Sequence, residues 1–314
     1  MKVAVTGSSG LIGTALVAAL RADGHEVIRL VRTAPPAADA IAWDPREDRG
    51  GLDPRSLDGV AAVVNLAGAP VAGQRWTPGY QAEVHDSRVQ GTRALAGALA
   101  AMTTPPGVLL SGSAIGWYGD TGGREVAESD PAGRGFLSGV ARDWEAATGD
   151  AARAGIRVVR LRSGVVLSPR GGILARLLPL FRLGLGGRIG TGRQVMSWIG
   201  LSEWVAAARF LLGRDDISGP VNLTTPSPVS NAEFTSALAA AVHRPAVILV
   251  PVPALKLAVG GVSSDILSSA RVLPRRLLDE GYQFRHPGIA GALAAELSGG
   301  APVTRRPHRA RPPA

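Results

Sequence analysis

Gly7, Gly10 and Gly13, each separated by two residues, follow directly on the apolar run Lys2–Thr6. Glycines at this spacing let the chain turn sharply after a strand, bring its backbone against a ligand, and pack the following helix closely. A helix beginning at Leu11 and Ile12 would then offer its first backbone N–H groups and its positive end to a pyrophosphate. The expected chemistry is dinucleotide binding, with Gly7, Gly10, Leu11, Ile12 and Gly13 at the phosphates.

A second strand, Val27–Val31, is followed by Arg32, and no acid stands where an adenosine ribose diol would be gripped. A guanidinium there suits a ribose 2′-phosphate, so NADP(H) is expected in preference to NAD(H). Arg29 is the other arginine on this strand, but Arg32 is better placed because it lies just past Val31. Asn65-Leu66-Ala67-Gly68 forms a small-residue turn after a further strand, which puts Leu66 and Ala67 near the adenosine or ribose. Asp44 is a weaker ribose or adenine candidate, since Asp44-Pro45 also makes an ordinary turn.

Short apolar strands alternating with longer helices must position these residues. Lys2–Thr6, Val27–Val31, Ile41–Trp43, Ala61–Leu66, Val108–Ser111 and Arg157–Leu161 read as strands, and Gln81–Met102 and Leu137–Ala154 as helices. The pattern predicts an α/β fold, a doubly wound Rossmann-type parallel sheet with a smaller, interleaved C-terminal substrate-binding domain. Residues 1–162 are assigned mainly to the dinucleotide-binding part, and 163–296 to a substrate-side region that partly returns to the sheet. Residues 297–314 read as a disordered basic tail.

Composition narrows the chemistry further. The 314 residues contain no Cys, which excludes disulfides, thiolate nucleophiles and cysteine-bound metals. The five His never form a zinc-binding spacing, so no metal is expected. Only Lys2 and Lys256 are lysines, so 32 of the 34 basic residues are arginines. The net charge of +9 falls to +5 without Arg305, Arg306, Arg309 and Arg311 of the Pro302–Ala314 stretch, and no aromatic-interleaved basic platform accompanies them. Specific nucleic-acid binding is therefore not expected. The N-terminal apolar run holds the glycine motif rather than a cleavage site, and prolines interrupt Pro245–Val262, so neither a signal peptide nor a membrane span is expected. A cytoplasmic location fits this reading.

Several segments together resemble the extended, or atypical, short-chain dehydrogenase/reductase superfamily, and within it an epimerase-like family. They include Thr6–Gly13, Val64–Gly68, Arg75-Trp76, Ser87–Arg93, Ser111–Gly119, Asp143-Trp144-Glu145, Arg160–Gly172, Leu183–Gly192, Ser197-Trp198-Ile199, Gly219–Asn222 and Asn231–Phe234. The resemblance implies a nicotinamide-dinucleotide fold, a substrate cleft built by the second half of the chain, and Glu83 and Arg88 as helix residues facing the cofactor. It also implies a serine that polarises the substrate and a tyrosine–lysine pair. In this chain the Tyr-x-x-x-Lys frame falls on Phe136 and Val140, which removes both the phenol and the ammonium. Ser113 and Tyr118 are the remaining catalytic candidates. The resulting expectation is an NADP-dependent oxidoreductase or epimerase-like enzyme acting on a small polar substrate. The alternative is an NADPH-binding sensor or interaction protein without turnover.

Overall fold

The computed structural model describes residues 1–33, 37–46, 51–71, 74, 76–251, 253 and 268–299. Arg75, Lys256, much of Pro245–Val262 and the whole Pro302–Ala314 tail lie outside the described residues. Seven strands form the central sheet: β1 (Lys2–Thr6), β2 (Glu26–Val31), β3 (Ala40–Ala42), β4 (Ala62–Asn65), β5 (Val108–Ala114), β6 (Arg157–Ser163) and β7 (Gly219–Leu223). Their order is β3-β2-β1-β4-β5-β6-β7, and every pairing is parallel. This doubly wound order places a crevice where the winding reverses, between β1 and β4 at their carboxyl ends.

Alternation along the strands feeds two cores. Val3, Val5, Ala62, Val64, Val108, Leu110, Val159 and Leu161 pack on one face, with helix α1 (Leu11–Ala22). Ala4, Val63, Leu109 and Val158 pack on the other, beneath α2 (Pro78–Ala100). Covered on both faces, β1 and β4 are apolar over most of their length, whereas β5 and β6 carry Ser111, Ser113, Arg157, Arg160 and Arg162 among their apolar residues. The helix expected over Leu137–Ala154 is instead two, α3 (Phe136–Ala146) and α4 (Gly149–Arg153). The break falls where Thr148 Oγ1 donates to the Glu145 carbonyl at 2.7 Å, a local bond that competes with helix continuation just before Gly149.

The second half builds a third core from α5 (Gly172–Arg182), α7 (Asn231–Ala241) and α9 (Ile289–Leu297), centred on Leu174, Phe181, Trp198, Phe234 and Leu293. Between α5 and α7 the chain returns to the sheet, where α6 (Leu201–Leu212) packs on the α1 face and β7 pairs with β6. A short helix, α8 (Arg275–Asp279), follows α7 and precedes α9. No helix among the described residues is long and apolar enough to cross a membrane.

Candidate functional site

A cavity of about 540 Å³ opens at the carboxyl ends of β1 and β4. Gly7 adopts φ +62°, and a Cβ there would stand 2.5 Å from the Leu66 carbonyl oxygen; a Cβ on Gly13 would stand 2.2 Å from that of Gly7. Thr6 fixes the two walls together. Its hydroxyl accepts from the Leu66 and Ala67 N–H groups at 2.9 and 3.1 Å and donates to Asn65 Oδ1 at 2.7 Å. At α1, Gly10 provides no side-chain cap and the first turn carries no acid. The orphan N–H groups and the positive end of this helix are thus left for an anion, as a bound pyrophosphate requires.

The cavity wall includes Gly7, Gly10, Arg32, Leu66, Ala67 and Glu83 of the sequence-chosen residues. Leu11, Ile12 and Gly13 form the first turn of α1 behind that wall. Arg88 is not among the lining residues. Its Nη1 donates to the Val84 carbonyl at 2.9 Å, its guanidinium lies 5.1 Å from the centre of the Trp144 ring, and Gly68 passes directly over it. Burial lowers its pKa to about 10. Arg29, the other arginine on β2, is taken by Asp39 at 2.8 Å, and this partner, with Arg21, holds the Asp39 carboxyl at about 2. Asp44 is exposed and accepts the Arg46 N–H at 2.9 Å, the ordinary turn its Pro neighbour suggested. Sequence reasoning missed Trp43, Arg46, Ser87 and Gln90, which also line the cavity.

Ser113 and Tyr118 enter a buried polar network at the carboxyl ends of β5 and β6, and neither lines the cavity. Ser113 Oγ donates to Glu145 Oε1 at 2.7 Å, and Arg162 binds the same carboxylate in bidentate fashion, at 2.7 and 3.0 Å. Arg162 Nη1 also donates to the Tyr118 hydroxyl at 3.0 Å, and that hydroxyl donates to Asn222 Oδ1 at 2.8 Å. The Arg162 and Glu145 side chains are only 3% and 4% exposed. Burial pushes the Tyr118 phenol up to about 12 against the pull of Arg162. The Glu128 carboxyl is also raised by burial, although it accepts the Asn222 N–H at 2.9 Å. The pairing of Glu145 with Arg162 could have been suspected from an acid on a helix and an arginine on a strand, but it takes the β5–β6 register, Ser113 opposite Arg162, and the packing of α3 on β5 at Gly112 to bring them together.

His85 joins the cavity helix α2 to α3. Its Nδ1 lies 2.9 Å from Asp86 and its Nε2 lies 3.1 Å from Asp143, two acceptor-only partners that favour the doubly protonated ring. The hydrogen bond to Asp86, with that to Asp143, raises the His85 pKa. A raised pKa contributes stability below the unfolded value near 6.5, and that stability is lost as pH rises through the folded value. The melting-temperature advantage of the parent over His85→Gln should therefore be largest near about pH 6 and shrink as the ring deprotonates at higher pH. Parallel melting curves across that range would overturn the assignment.

The fold and cavity together define a dinucleotide-binding α/β protein of the doubly wound class. The model of the NAD dependent epimerase/dehydratase family matches residues 3–223, and the chain belongs to that family. A domain of unknown function (DUF1731) matches residues 250–296. The chain is 47% identical over 292 residues to the epimerase family protein Mb2239 of Mycobacterium bovis, covering 93% of this chain and 96% of that protein. The crystal structure of the human epimerase family protein SDR39U1 with NADPH superposes with a TM-score of 0.85 at 33% identity, over 95% of this chain and all (100%) of that one. The UDP-glucose 4-epimerase of Thermus thermophilus in complex with NAD shares the fold at 21% identity, with a TM-score of 0.75 and coverage of 96% and 100%.

Proposed function

We propose that the cavity holds NADP(H) in preference to NAD(H), and that the chain passes hydride between that cofactor and a small polar substrate. The observation that carries the cofactor preference is Arg32, which lines the cavity just past Val31 and has no ion pair with any described residue. The NADPH named with the solved human relative supports the same choice. When bound, the nicotinamide supplies the hydride donor or acceptor. The residues present fit such a group. The Gly7–Gly10 backbone with the uncapped first turn of α1, including Leu11, Ile12 and Gly13, receives the phosphates. Arg32 takes the 2′-phosphate, Leu66 and Ala67 flank the adenosine or ribose, and Glu83 stands on the α2 side. Arg88 supports the Gly68 turn from beneath.

For the chemical step, the phenol and cation missing at Phe136 and Val140 recur as Tyr118 and Arg162, which stand 3.0 Å apart. Tyr118 is protonated at neutral pH, and it and Ser113 serve a substrate carbonyl by turning their hydroxyls to it from Asn222 and Glu145. Residues 163–296 supply the substrate side, and the reaction belongs in the cytoplasm. The second reading, a cofactor-binding sensor without turnover, is favoured by the internal bonds that occupy the Ser113 and Tyr118 hydroxyls.

Calorimetric titration tests the cofactor assignment. The parent should bind NADPH more tightly than NADH, and Arg32→Ala should erode that preference by about 1–3 kcal/mol, the range for a hydrogen bond to a charged group. Equal affinities of the parent for both cofactors would overturn it.

A further inference from the structure

We infer that Arg46 is a second cofactor-specificity residue, placing its guanidinium with that of Arg32 on the adenosine 2′-phosphate. The inference rests on the reading of the cavity as an NADP(H) site and deepens it.

The cavity wall carries four charged side chains. Glu83 and Asp86 come from α2, and Asp86 is engaged by His85. Arg32 and Arg46 come from the ends of the neighbouring parallel strands β2 and β3. Of the described acids near these strand ends, Asp39 is already bound by Arg21 and Arg29, and Asp44 accepts the backbone N–H of Arg46 rather than its guanidinium. Neither Arg32 nor Arg46 has a side-chain hydrogen bond or ion pair with any described residue. Two guanidiniums on one edge of a cavity, neither paired with a described acid, repel each other unless an anion sits between them, and a phosphate carrying up to two charges provides that anion with acceptors for both.

The position of Arg46 is built rather than incidental. Val31 and Ala42 are register partners, and the Trp43 N–H continues that pairing to the Val31 carbonyl at 3.0 Å, which ties the two strand ends together. Trp43, 3% exposed, anchors the next residues beneath the cavity. Asp44 then closes a turn on the Arg46 N–H. Pro45 seats against α2 at Gly91, where an added Cβ would meet the proline at 3.3 Å. A glycine in mid-helix costs stability relative to alanine, and here it admits the turn that carries Arg46 to the cavity. Arg32 extends from a strand end, and Arg46 from a turn clamped on the other side of the same edge.

The test uses the full chain and titrates NADPH, NADH and adenosine 2′,5′-bisphosphate against the parent, Arg32→Ala, Arg46→Ala and the double variant. Both arginines are exposed, and melting curves check that each variant folds. Arg46→Ala should weaken NADPH and the bisphosphate by roughly 10- to 100-fold and leave NADH within about twofold. The double variant should bind NADPH and NADH alike. If Arg46→Ala leaves NADPH affinity unchanged while Arg32→Ala abolishes the preference, the inference fails and the cofactor assignment stands. Equal losses of NADPH and NADH would place Arg46 on the adenine or pyrophosphate instead, and also overturn it. A parent with no preference for NADPH overturns both.

Discussion

Glu145→Ala should lower stability by about 3–5 kcal/mol, the range for removing one partner of a buried ion pair. For a protein of this size that corresponds to a fall in melting temperature of roughly 10 °C. The magnitude follows from what is left behind. Arg162 would keep a guanidinium only 3% exposed with its bidentate carboxylate gone, and Ser113 would lose its acceptor. The stacking of Arg162 on Trp117, at 3.9 Å, cannot replace a counter-charge. Replacing both partners together, Glu145→Leu with Arg162→Met, should recover much of the loss, because no charge then remains buried. Urea unfolding of the parent, the single variant and the double variant makes the comparison. A single-variant loss below about 1 kcal/mol would mean that water reaches the pair.

The second large effect concerns chemistry. With a carbonyl substrate found by following NADPH oxidation, Tyr118→Phe should slow the hydride-transfer step by about 100-fold or more, the ordinary scale for a positioned acid or base. Ser113→Ala should slow the same step, and NADPH affinity should stay within about twofold in both, since neither side chain lines the cavity. Stopped-flow measurement at saturating cofactor separates the step from binding. Changes below about twofold in both variants would remove Ser113 and Tyr118 from the reaction and favour the reading without turnover.

Much of the nucleotide half was legible in the sequence because it is local. A strand, three glycines and a helix follow one another between Lys2 and Ala22, and the boundaries of β1 coincide with the apolar run. The arginine after Val31 and the small turn after Asn65 were likewise readable, since their neighbours in sequence are their neighbours in space. Trp43 and Arg46 were not, because they reach the cavity only through the pairing of β2 with β3 and the packing of Pro45 on Gly91. The Ser113–Glu145–Arg162–Tyr118–Asn222 chain was less legible still. It joins residues up to 104 positions apart, through strand register that no period in the sequence reports. The break between α3 and α4 coincides with the Thr148 hydroxyl turning back on the Glu145 carbonyl just before Gly149, a bond that no pattern of apolar residues reports.

The late return of β7 to the sheet has a consequence for how the chain acquires its structure. As the polypeptide leaves the ribosome, β1 to β6 are complete by Ser163, yet the outer edge of β6 finds its partner only when Gly219–Leu223 has emerged. During that interval the outer edge of β6 presents unpaired backbone groups to other nascent chains, and closing it requires a long connection to be ordered first. Arg157 bears on the same closure, since its Nη1 donates to the Ile217 carbonyl at 2.8 Å and so latches the approach to β7. Sealing the sheet is therefore tied to the segment between Ser163 and Gly219, which must emerge before β6 is paired, while the helices that finish the third core, from Asn231 onward, follow later still.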